Sequence, residues 1–114
     1  MVLDSRARLA CLVSAINVAA VVMATLLPTD LVPRTGLGWK TEHFLGFLTV
    51  TTITCLAWPR PRLVGLALMA TAGLLEALQG LTPDRVPDFP TALSGAGGAL
   101  LASVAAEVFM RARN

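Results

Sequence analysis

Residues 63–81, LVGLALMATAGLLEALQGL, decide the fold. The run has the length, about 17–25 residues, that a helix needs to cross the hydrocarbon core of a bilayer. Its one ionisable residue is Glu76, and Gln79 follows at helical spacing. The period-2 alternation of a barrel strand is absent. Unpaired backbone groups are not tolerated in lipid, so such a run is expected to be helical. Three other stretches have the same character, at 9–27, 41–58 and 92–110. The expected architecture is an all-α membrane protein with four transmembrane helices, forming a single domain over 1–114.

Composition agrees with this. The chain has 114 residues, of which 55% are apolar and 14% charged, and its mean hydropathy is +0.72. A soluble domain of this size carries about 25% charged residues. The net charge is +2 and the cations are scattered singly, so no basic patch points to nucleic acid. Arg6 and Arg8 precede the first stretch as they would in a signal peptide. That stretch exceeds the 7–15 residues of a signal core and ends in Leu26-Leu27-Pro28, so an uncleaved span is expected.

The nine basic residues also give an orientation. Cytoplasmic loops are enriched in Lys and Arg. Arg6, Arg8, Arg60, Arg62, Arg111 and Arg113 fall on one side of a back-and-forth chain; Arg34, Lys40 and Arg85 fall on the other, diluted by Asp30, Glu42, Asp84 and Asp88. Both termini are therefore expected in the cytoplasm. Trp39 and Trp58 bracket roughly 28 Å of helix at about 1.5 Å per residue, close to the spacing of the two membrane interfaces where Trp is enriched. Pro59 and Pro61 should end the second helix, and the short loop after it predicts that the second and third helices are antiparallel neighbours.

The rare polar residues gather toward the outward side. His43 lies near the start of the second span, Glu76 and Gln79 near the end of the third, and Arg85 and Asp88 just beyond. Ionisable residues within a span are costly, so a group at one depth is a candidate site. Lys40, His43, Glu76, Gln79, Arg85 and Asp88 are the candidate ligand-binding residues, with His43 and Glu76 as the candidate acid–base pair. Arg85 has the forked guanidinium that suits phosphate or carboxylate. The plainer reading is an ion pair that fixes helix register. A metal site from His43, Glu76 and Asp88 is disfavoured by the single His, and no metal or other cofactor is expected.

Other polar groups have structural readings. Glu107 and Arg111 can pair at i,i+4. Asn17 and the threonines of 49–54 are expected to bond between helices. Cys11 and Cys55 fall in apolar stretches and read as small hydrophobes. Ser94, Gly98, Ala102 and Ala106, and beside them Gly95, Ala99 and Ser103, form small-residue faces on the last helix. Such faces allow close helix packing, within the bundle or against a second copy of the chain.

Lys40-x-x-His43-Phe44, Glu76-x-x-Gln79 and Pro83-x-Arg85, followed by a small-residue helix, resemble in order and spacing the VanZ-like family across all but the first span. The resemblance implies an envelope protein of the bacterial inner (cytoplasmic) membrane, in a family associated with low-level resistance to the glycopeptide teicoplanin. Where the family continues to an Asp and an Asn, this chain has Thr91 and Gly95, while Gly98 matches; Asp88 is a candidate replacement carboxylate. The expected function is binding of a lipophilic glycopeptide or lipid-linked envelope precursor at an outward-facing polar pocket within membrane lipid. The alternatives are a membrane enzyme using Glu76 and His43 on a lipid substrate, and a structural subunit packed through its last helix.

Overall fold

Two prolines make the corner between the second and third helices. The helix that reaches Ala57 ends as Trp58 turns extended, with its N–H donating to the Thr54 carbonyl at 2.7 Å. Pro59 follows, and Pro61 opens the next helix at its first position, where a missing N–H costs nothing. A computed structural model describes residues 4–26, 36–81 and 89–113. It contains α1 (Ser5–Leu26), α2 (Trp39–Ala57), α3 (Pro61–Leu78) extended by a 3-10 turn (Gln79–Leu81), and α4 (Phe89–Arg113). The helix ends lie within a few residues of those read from the sequence. Gly38 caps α2 at φ 98°, a conformation that favours glycine over any L side chain.

The packing differs from the sequence reading in one respect. α2 and α3 touch each other far less than each touches α4. The last helix lies against both, and α1 packs mainly on α2. The short 59–62 link predicts direct neighbours, but α4 has the smaller side chains and forms the closer contacts. Its buried residues are Thr91, Gly95, Gly98, Ala99, Ala102 and Ser103. The small-residue face is thus used within the bundle.

Glycine contacts fix the register. A β-carbon on Gly98 would collide with the Phe44 carbonyl oxygen and come within 3.0 Å of the Leu48 nitrogen. One on Gly95 would lie 2.9 Å from the Phe47 ring and 3.3 Å from Ala72. Gly65 of α3 faces Ser103 of α4 in the same way. Ala72 with Gly95, Gly65 with Ser103, and Arg62 with Glu107 run in opposite directions along the two helices, so α3 and α4 are antiparallel. The tight α2–α3 corner then makes α2 and α4 parallel.

Large apolar side chains point outward. Leu12, Ile16, Leu56, Leu66, Leu74, Leu101 and Val108 are among the exposed residues, whereas the interior holds mostly smaller residues with some polar ones. That is the arrangement expected when acyl chains, not water, surround a bundle. By length and hydropathy, three stretches qualify to cross a membrane: Ser5–Met23, Pro61–Leu81 and Phe89–Arg113. The expectation of four is therefore met by three. α2 falls short because Lys40, Glu42 and His43 crowd its first turns and threonines recur along it.

Those threonines also correct the sequence reading. Thr49, Thr52 and Thr54 donate to the carbonyls of Leu45, Leu48 and Val50 in their own helix, at 2.7–2.8 Å. A hydroxyl that bonds back one turn needs no partner on another helix. Thr51 Oγ1 and Asn17 Nδ2 are buried with no hydrogen-bond partner among the described residues. The cysteines divide: Cys55 is buried, but Cys11 is exposed on the outer face of α1.

Candidate functional site

The contact among Phe47, Ala72 and Gly95 is a reference level through α2, α3 and α4. One helical turn from it, toward the start of α2, lies His43. The equivalent step along antiparallel α3 reaches Glu76, and along α4 it reaches Thr91. Glu76 and Thr91 therefore share a level at one end of the bundle, and His43 lies near that end on α2. The alignment of Glu76 with Thr91 follows from the register that Gly95 permits.

This level is polar and interior. Glu76 is 6% exposed, Gln79 1% and Thr91 0%. Neither Glu76 nor Gln79 is without a partner. Gln79 lies three residues beyond Glu76, at the start of the 3-10 turn, on the same helical face. Buried polar groups in a bundle are costly unless satisfied, and a buried carboxylate most of all, so Glu76 with Gln79 and Thr91 marks this end as the candidate site.

His43 is half-buried and oriented by its own helix. Its Nδ1 lies 3.1 Å from the Trp39 carbonyl oxygen, and its ring sits 4.6 Å from the Trp39 ring, tilted by 50°. A carbonyl only accepts, so Nδ1 carries the hydrogen in this bond and Nε2 is the basic nitrogen of the neutral ring. Nε2 is buried. Lys40 is exposed, one turn toward the helix start, where its ammonium can reach an interface.

The structure thus puts His43, Glu76 and Gln79 at one end of the bundle, on two helices that each pack on α4. Arg85 and Asp88 lie outside the described residues. Thr91 was legible only as a departure from a family pattern; its place beside Glu76 follows from the Gly95 contact, which no local spacing encodes. Among the described residues, no group of three His, Cys, Asp or Glu side chains is placed to hold a metal.

At the opposite end, Glu107 does more than pair with Arg111. Its Oε1 accepts from Arg111 at 3.0 Å and from Arg62 at 2.7 Å, joining α4 to the start of α3. No family model matches this chain, and no curated protein or solved structure matches it either.

Proposed function

We propose that this chain is a multi-pass protein of a bacterial cytoplasmic membrane, and that its buried polar level binds the polar end of a lipophilic envelope ligand. In this reading all four helices cross, both termini are cytoplasmic, and the end of the bundle that carries His43, Glu76 and Thr91 faces outward. The ligand class is a lipid-linked cell-wall precursor or a lipophilic glycopeptide, in keeping with the resemblance to the VanZ-like family. The observation that carries the reading is the burial of Glu76, Gln79 and Thr91 together inside a leucine-covered bundle.

The division of labour is simple. The outer leucines offer an amphipathic molecule a route along the bundle. Glu76 and Gln79 supply one carboxylate and one amide to a headgroup, and His43 Nε2 an acceptor. Lys40, exposed above them, contributes positive charge at the mouth.

The test is binding to the protein in neutral-lipid nanodiscs, with a lipid-linked cell-wall precursor and teicoplanin as probes, read by native mass spectrometry. Glu76→Gln and Gln79→Leu are expected to weaken retention about tenfold, with helical content unchanged. Equal retention by wild type and both variants, or no retention of either probe by wild type, ends the reading.

A further inference from the structure

The end of the bundle opposite the polar level holds a cleft of about 400 Å³ between the start of α3 and the last turns of α4. Arg60, Arg62 and Arg111 line it, with Glu107 between them and Leu63 and Met110 as its apolar wall. We infer that this cleft is a binding site for an anionic phospholipid, with the phosphate held by Arg60, Arg62 and Arg111 and an acyl chain lying along α3.

Charge is the first reason. Three arginines and one glutamate line the cleft, so it carries an excess of positive charge. Glu107 engages Arg62 and Arg111 through a single oxygen. Each guanidinium has five N–H donors, and these bonds consume Nε–H and one Nη2–H of Arg62 and one Nη2–H of Arg111. The remaining donors are available to a second anion. Arg60 has no side-chain partner among the described residues. Basic pockets between helices at a membrane surface are the usual sites for anionic lipid headgroups.

The apolar wall is the second reason, and it selects a lipid over a free anion. Leu63 and Leu66 are exposed and lie three residues apart, on one face of α3. They carry the cleft's apolar wall one turn further along the bundle. An inorganic phosphate would use the arginines and leave this wall bare; a phospholipid uses both. Glu107 is the positioning residue, since it fixes two of the three guanidiniums at a common point.

The experiment uses the full chain, delipidated in a neutral detergent and titrated separately with phosphatidylglycerol and phosphatidylcholine under native mass spectrometry. Phosphatidylglycerol is expected to bind roughly tenfold tighter. Arg60→Gln should remove most of that preference without touching Glu107, and Arg111→Gln should do the same while leaving the Arg62–Glu107 link between helices intact. Arg113→Gln, at the same end but outside the cleft, should retain the preference. Helical content measured in parallel ensures that the variants compared are folded. Equal binding of the two lipids, or full preference in folded Arg60→Gln, overturns the proposal. Displacement of phosphatidylglycerol by millimolar inorganic phosphate or glycerol phosphate also overturns it, in favour of a free-anion site.

Discussion

Gly98 in α4 abuts the main chain of Phe44 in α2, so closely that any β-carbon there would meet the Phe44 carbonyl oxygen. Main-chain atoms cannot rotate away as a side chain can. Gly98→Ala should therefore force the helices apart, at a cost of about 1–3 kcal/mol or more. Gly73→Ala is the control, because a β-carbon there meets nothing within 4 Å. Unfolding midpoints in one detergent should fall for the first variant and hold for the second. Equal midpoints would mean the α2–α4 crossing is looser than described.

The polar level makes a separate prediction. Thr91 is fully buried, so Thr91→Val keeps the shape and removes one hydroxyl, at about 0.5–1.5 kcal/mol. Thr91→Leu adds bulk where none fits and should lose more, about 1–3 kcal/mol. Denaturation in mixed micelles can rank the two. A leucine variant as stable as the valine one would place Thr91 beside unfilled space.

Trp58 Nε1 donates to Ser14 Oγ at 2.7 Å, tying the end of α2 to α1. The bond is exposed, so Ser14→Ala should cost toward the lower end of about 0.5–1.5 kcal/mol. Its signature should be local: faster amide exchange in α1 and a shifted Trp58 emission in a Trp39→Phe background, with the α3–α4 pair unchanged. Faster exchange in α4 would contradict the packing of α1 mainly on α2.

The cysteines report on the same packing. Cys11 is exposed and Cys55 buried. In detergent, a small membrane-permeant maleimide should label Cys11 at least roughly tenfold faster, because reaction needs access to the thiolate. Peptide mapping after timed quenching measures both rates. Comparable rates would show that α2 is not enclosed by its neighbours.

Topology follows from the cation distribution. Reporter fusions after Asn114 and within 59–62 should report a cytoplasmic location, and a fusion near Gly36 an external one. A periplasmic C-terminus would turn the polar level inward and remove the envelope ligand from its reach.

Much of the fold was legible along the chain. The helices at 5–26, 39–57, 61–78 and 89–113 follow from apolar runs, with Pro59 and Pro61 marking the break between the second and third. The Glu107–Arg111 pair follows from i,i+4 spacing. For the candidate site, Glu76 stood out because a carboxylate in an apolar run needs a reason to be there. The threonine bonds were local too, yet were misread as interhelical because the carbonyl one turn back satisfies a hydroxyl in place of a distant partner.

By itself, then, the sequence determined where helices start and stop, which residues are costly in lipid and which end of the bundle carries the cations. These depend on interactions within a few residues and on the solvent around the chain. Only the tertiary structure decided that α4 packs closely on both α2 and α3, that Thr91 stands level with Glu76, and that Arg62 joins Glu107. The physical reason is that leucine is as content against lipid as against protein, so hydrophobicity does not choose which faces meet. The choice falls to close contact at Gly65, Gly95 and Gly98, whose partners lie more than a helix away along the chain.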